Sequence, residues 1–429
     1  MKLPCRPLLL LATLIALALP DAGNAQQCSI EPKNGQPLIG LALGGGGARG
    51  FAHIGVLKYL EEQRIPFHRI AGTSMGSIAG GLAATGLDSS EIARIVEQIN
   101  WPNMFSDRTD RQYLPARRKQ DDQFGLDGPK FGVSKDKAAL PSGVVAGQKI
   151  LVLFENLISR RMQVENFDYL PVPYRAIATD IVNGEMVVIA EGSLAAAMRA
   201  SMSVPGAFDP ALLDDRLLVD GGLTRNLPVD IVRNMGAERV IAVNVGTPLR
   251  TADEIGSVLT IVDQMTALAI VANTEQQIET LRPEDALLSP KLGNDITSAS
   301  FERFSEAFTL GYAAALEQAE LLASFSVSET EYASWRESVA SCVMGEPLIQ
   351  FVRLDNQSRF SDEVIMDLIK FEPGKTLDQV ELDDNLREIY GLGFIRLASY
   401  RLIEENGEQG VEIQVDEDSR GTDFIETGL

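Results

Sequence analysis

The stretch Ile70-Ala71-Gly72-Thr73-Ser74-Met75-Gly76 decides the fold. Gly72-Thr73-Ser74-Met75-Gly76 has the Gly-x-Ser-x-Gly spacing of a nucleophile elbow, a sharp strand-to-helix turn that small flanking residues permit. Ile70 and Ala71 close a short buried strand before it, and Ser77 to Ala84 is small and apolar enough to begin a packed helix after it. Upstream, Leu41-Ala42-Leu43-Gly44-Gly45-Gly46-Gly47-Ala48-Arg49-Gly50 repeats the order of apolar run, glycines and helix pattern. Successive glycine N–H groups at a helix N-terminus suit an anion, and beside an elbow that anion is the oxyanion of an acyl transfer. The two signals together predict a serine acyl hydrolase.

Each signal alone has another meaning. The glycine run is also compatible with a phosphate-binding loop, although it lacks the Gly-Lys-Ser/Thr ending. Gly45 to Gly50 fits the dinucleotide fingerprint Gly-x-Gly-x-x-Gly, which wants an acidic residue about twenty residues on; Pro66 to Gly72 offers none.

The 429 residues suffice for two or three domains, and 45% hydrophobic residues can bury a sizeable core. A net charge of −22 argues against nucleic acid, whose phosphates want a basic stripe. Lys2 and Arg6 precede an apolar run from Leu8 to Leu19, then Pro20 and the small residues Gly23-Asn24-Ala25. Residues 1–25 therefore read as a secretory signal peptide, too short and wrongly flanked for a membrane span. Its removal leaves Cys28 and Cys342, which form one bridge or stay as two thiols.

From Leu38 to Ala84 the alternation of strand and helix points to a layered α/β domain with a largely parallel sheet. Trp101 to Gln148, rich in Pro, Gly, Arg and Asp, is a surface insertion or a lid carrying Tyr113, Phe124 and Phe131. Pro173 to Asp180 and Glu185 to Ala190 read as strands around the turn Asn183-Gly184. Leu217-Leu218-Val219-Asp220-Gly221-Gly222-Leu223 places a carboxylate at a strand end, followed by glycines where backbone passes close to something. A tight turn with an Asp for local hydrogen bonding is the other reading; the serine motif favours a catalytic one.

The chain holds two histidines, His53 and His68. His53 lies in the helix behind the glycine loop. His68 lies at the far end of the strand that leads into the elbow, about 20 Å from the serine at 3.3 Å per residue. Neither is well placed as the base. A carboxylate within hydrogen-bond reach of the hydroxyl can replace the imidazole, and Asp220 is the best candidate.

Gly45-Gly46-Gly47-Ala48-Arg49-Gly50, Gly72-Thr73-Ser74-Met75-Gly76 and Asp220-Gly221-Gly222 resemble, in order and spacing, the three motifs of the patatin-like phospholipases. Ser201 to Pro210 resembles that family's segment before the aspartate, and the likeness covers about Ile39 to Leu322. The resemblance implies a three-layer α/β/α sandwich, hydrolysis of phospholipid acyl esters by a Ser74–Asp220 dyad, and no metal or cofactor. It makes Gly45, Gly46 and Gly47 oxyanion-hole positions with Arg49 beside them, and Gly72, Gly76, Gly221 and Gly222 motif-flanking positions. For Arg49, a substrate-phosphate contact and a structural ion pair are both open.

The hydrolase domain is expected over 26–325, with 326–345 as a connector. Residues 346–418 read as strand, two helices and two strands, resembling a POTRA domain through Ile349-x-Phe351-x-x-Leu354, Gly374-x-x-Leu377, Ile389-Tyr390-x-x-Gly393-Phe394 and Val411-x-Ile413-x-Val415. A patatin domain followed by a POTRA domain resembles the patatin-type autotransporters, whose chains continue into an outer-membrane barrel. Residues 419–429 are too few for eight strands of about ten residues and are expected to be the stub of that missing barrel. An intact relative would be outer-membrane-bound or secreted, and this chain alone periplasmic. The POTRA-like part is then expected to contact the barrel or assembly machinery. A general esterase or thioesterase, or a secretion module binding polypeptide by β-augmentation, is the alternative function.

Overall fold

The computed structural model describes residues 32, 35–106, 108–121, 130–133, 138–139, 143–159, 161, 164–343, 347–418 and 423–426. The expected signal peptide, Cys28 and Phe124 lie outside them, and so therefore does the question of a Cys28–Cys342 bridge.

A mixed sheet lies at the centre, in the order Ala286–Leu288, Arg239–Val243, Ile39–Leu43, Arg69–Thr73, Tyr174–Asp180, Arg216–Asp220, Ala211–Leu213. The five strands from Ala286–Leu288 to Tyr174–Asp180 pair in parallel, and the later ones antiparallel. Ile39–Leu43 is buried along its whole length, as apolar residues on both faces demand of a strand with layers above and below.

The helices pack closely because small residues line them. A Cβ on Gly55, in helix Ala52–Glu62, would lie 1.9 Å from the Phe308 carbonyl oxygen, and one on Gly311 would lie 1.9 Å from that of Ala52. These two glycines let helix Phe304–Glu317 touch Ala52–Glu62 backbone to backbone.

Sheet register explains where the serine and the aspartate end up. Met186–Ile189 covers one edge of Tyr174–Asp180 from Ala176 to Thr179. On the other edge Arg69–Thr73 runs parallel as far as Ile177, and Arg216–Asp220 arrives antiparallel from Asp180 to Ala178. The two strands run toward each other and stop on adjacent residues of one partner, so Ser74 and Asp220 meet at Ile177–Ala178.

The described residues bear on three expectations of the domain plan. Helix Glu329–Ser341, placed in the connector 326–345, belongs to the α/β core: Trp335 is buried with its ring 5.3 Å from that of Phe67, because an indole this size needs a core to enter. The described part of the 101–148 insertion reaches the pocket only through Phe105 and Val145 and otherwise packs on the rest of the chain. Trp101 stacks on Phe301 and Phe105 meets the same ring at a tilt, both at 4.7 Å, and the Tyr113 hydroxyl hydrogen-bonds Asp384 in the C-terminal unit. Asp423–Glu426, in the stretch expected to be a barrel stub, pairs antiparallel with Lys130–Val133 of the insertion.

The C-terminal unit holds a strand, two helices and two strands in that order, with two further short strands, Leu348–Ile349 before the first strand and Lys375–Thr376 between the helices. Phe351–Gln357 pairs in parallel with Glu408–Glu417, which pairs antiparallel with Ile395–Glu405. Helices Asp362–Met366 and Gln379–Gly391 supply Ile365, Leu382, Leu386 and Ile389 to a core of its own. Helix Gln148–Ile158 joins the two cores: Leu151 and Phe154 enter the first, Val152 the second. At its end Ser159 bonds the Tyr400 hydroxyl at 2.8 Å and accepts from the Gln379 amide at 2.6 Å.

Candidate active site

Ser74 caps the helix Met75–Ala84 with φ 55° and ψ −124°, a left-handed backbone that costs a non-glycine residue energy and clusters at functional sites. The flanking glycines make the turn feasible. A Cβ on Gly72 would fall 2.3 Å from the Gly76 carbonyl oxygen, and one on Gly76 2.3 Å from that of Leu43. Strand, elbow and helix are therefore in backbone contact, and Ser74 is held by a rigid framework.

The Asp220 carboxylate lies within hydrogen-bonding reach of the Ser74 hydroxyl and accepts from Gly222 N–H at 2.8 Å. Burial raises its pKa from 3.8 to about 6, against the smaller opposing effect of those two donors. A Cβ on Gly221 would lie 2.3 Å from the Ile177 carbonyl oxygen, so glycine is what lets the chain turn beside the dyad.

The glycine loop is more divided in its tasks than the motif suggests. Gly44 donates to Val243 C=O at 3.0 Å and Gly45 to Asn226 C=O at 3.2 Å, which takes Gly45 out of the expected set of oxyanion donors. Gly45 serves by its missing side chain: a Cβ there would sit 3.1 Å from Ser74 Cβ and 2.6 Å from Asn226 Oδ1. Among the described residues the N–H groups of Gly46, Gly47 and Met75 have no acceptor, and all three residues line the cavity that holds Ser74. Met75 escaped notice in the sequence, although the residue after an elbow serine is a standard donor.

Arg49 also changes role. It is buried, and its guanidinium donates to the carbonyls of Val245 at 3.0 Å, Gly293 at 2.8 Å and Ile296 at 2.6 Å. Through Nε and Nη1 it ties two loops to the glycine turn, and its structural partners are carbonyls, not a carboxylate.

Both histidines are occupied elsewhere. His53 Nε2 donates to Gly44 C=O at 2.8 Å, and burial lowers its pKa to about 4, so a neutral ring braces the loop. His68 Nδ1 accepts from Ile39 N–H at 3.1 Å, at the opposite end of the sheet.

Ser74 and Asp220 open into a cavity of about 640 Å³ with mainly apolar walls, including Ile78, Phe105, Met202, Phe208, Ile270 and Phe301. Such a space accommodates an acyl chain with one polar end at the dyad. No group of three or more metal-ligating side chains occurs among the described residues.

Residues 41–233 match the family model described as patatin-like phospholipase. That segment, a little under half of the chain, is similar to patatin-like phospholipase domains. The chain is 35% identical over 208 residues to an uncharacterized NTE family protein of Mycobacterium tuberculosis, covering 48% of this chain and 49% of that protein. It is 36% identical over 211 residues to patatin-like phospholipase domain-containing protein 6 of Homo sapiens, covering 49% of this chain and 13% of that protein. The chain thus spans about half or less of the length of these curated relatives. Among solved structures, VipD from Legionella pneumophila aligns with a TM-score of 0.37 and 13% identity, over 78% of this chain and 76% of that one.

Proposed function

We propose that the patatin-like domain makes this protein a serine acyl hydrolase that releases fatty acids from phospholipids. The observation that carries it is a serine on a left-handed elbow facing a buried, raised-pKa carboxylate at the polar end of an apolar cavity. Asp220 takes the Ser74 proton as Oγ attacks the ester carbonyl, and the Gly46, Gly47 and Met75 N–H groups receive the negative oxygen. The intermediate collapses, the alcohol leaves with the proton held by Asp220, and the acyl group stays on Ser74. Water then gives a proton to Asp220 and attacks the acyl-enzyme, the fatty acid departs, and Ser74 regains its proton. Each oxyanion donor is worth about 10²–10³ in rate.

The C-terminal unit fits a POTRA-like module: its strand-helix-helix-strand-strand order and mixed three-stranded sheet support that proposal. Export of the chain, and contact of this unit with a barrel or assembly machinery, belong to the same proposal and rest on the leader pattern and the POTRA-like motifs.

Phospholipid vesicles and a short-chain soluble ester, offered to the same preparation, separate the substrate classes. Fatty-acid release from the vesicles is expected. Cleavage of the soluble ester alone would make the protein a general esterase.

A further inference from the structure

The parallel ladder between Arg69–Thr73 and Tyr174–Asp180 begins with Ile70 N–H donating to Pro173 C=O at 2.9 Å. With a period of two, its rungs reach Gly72 and then Ser74, whose acceptor would be Ile177 C=O. That last rung is not direct. The Ser201 hydroxyl is inserted in it, accepting from Ser74 N–H at 2.9 Å and donating to Ile177 C=O at 2.5 Å. Ser201 is fully buried at the end of helix Leu194–Ser201.

The same corner holds the other half of the dyad. Ser203 C=O accepts from Asp220 N–H at 2.9 Å, and Ser201 C=O accepts from Gly221 N–H at 3.4 Å. Met202, between them, is a wall of the cavity beside Ser74.

We propose that Ser201 is a positioning residue for the nucleophile: its hydroxyl spaces Ser74 away from the sheet and holds it in the left-handed turn that aims Oγ at Asp220. This rests on Ser74 being the nucleophile. Without the hydroxyl, Ser74 N–H and Ile177 C=O are two buried polar groups facing each other across a gap. They satisfy themselves by closing the rung directly, which draws Ser74 back toward strand geometry. The binding walls and the Gly46 and Gly47 N–H groups stay in place while Met75 N–H moves with Ser74, so the loss falls on the chemical step.

The test compares Ser201→Ala with Thr85→Ala, which removes a buried hydroxyl that only caps a helix end by donating to Leu82 C=O at 2.7 Å. Ser201→Ala is expected to lower kcat about 10–100-fold, as a displacement near 1 Å does, with KM within about twofold of the parent. The rate at which an alkyl phosphonate labels Ser74 should fall by the same factor. Thr85→Ala should leave kcat unchanged even where its unfolding midpoint falls as far. Ser201→Cys, with a weaker donor and acceptor of similar volume, is the second variant should Ser201→Ala not fold; its kcat is expected between the two. A kcat for Ser201→Ala or Ser201→Cys equal to the parent's, or a loss that Thr85→Ala shares, overturns the proposal. Ser74→Ala, run alongside, separates the two levels: if it retains activity, the nucleophile assignment falls and this inference with it. If it is inactive while Ser201→Ala is unimpaired, this inference alone falls.

Discussion

Ser74→Ala is expected to lower ester hydrolysis by about 10⁴–10⁶-fold, the loss typical when the nucleophile of a preorganised hydrolase is removed. The fold should survive, because Ser74 is held through its backbone. Its N–H is bonded to Ser201 and its C=O accepts from Ser77 N–H at 2.9 Å, and alanine keeps both. Asp220 loses a donor, so its carboxyl should shift further up in pKa. Steady-state rates beside a thermal unfolding curve check this. Residual activity above about 1% of the parent, far over the expected remainder, would move the nucleophile to another residue.

Asp220→Asn is expected to lower kcat by about 10³–10⁴-fold, since it removes the carboxylate that is hydrogen-bonded to the hydroxyl. The parent carries the matching pH signature. The base works when deprotonated and its pKa stands at about 6, so the rate should be level above that pH and fall about tenfold per unit below it. Stability moves the opposite way. The folded state holds this proton more tightly than the unfolded chain, whose carboxyl has a pKa near 3.8. The stability contributed by the group is therefore present below about pH 4 and lost as pH rises through 6. A difference of about two units corresponds to roughly 3 kcal/mol at neutral pH. Asp220→Asn, which keeps an acceptor for Gly222 N–H, should raise unfolding stability by about 1–3 kcal/mol at pH 8, with the gain vanishing toward pH 4. A variant equally stable at both pH values would show that the burial of Asp220 carries no such cost.

The proposed Ser74–Asp220 pair was legible in the sequence because each member stands in a local pattern that backbone geometry dictates. Gly72 and Gly76 allow the elbow, and Gly221 allows the chain to pass Ile177. The strands around them were legible for the same reason: an apolar run such as Ile39–Leu43 ends in glycine. What stayed hidden depends on partners distant in sequence. Nothing in Gly45-Gly46-Gly47 says that the first of the three spends its N–H on Asn226, or that Arg49 reaches carbonyls of 245, 293 and 296. Ser201 sits in a stretch that resembled the patatin family, yet its role follows only from the head-on meeting of two strands on one edge of Tyr174–Asp180. Trp335 marked helix Glu329–Ser341 as a core element by its size alone. The signal was weak because the helix around it is polar, with Glu329, Glu331, Arg336 and Glu337 toward solvent or the domain surface.

Covalent labelling tests the central claim most directly. The protein is treated with an alkyl fluorophosphonate at pH 8 and the adduct located by peptide mass spectrometry. One adduct on Ser74, formed at a rate that drops in Asp220→Asn, is the predicted result. An adduct on a different serine of a hydrolytically active preparation, or labelling of Ser74 that Asp220→Asn does not slow, would contradict the Ser74–Asp220 dyad.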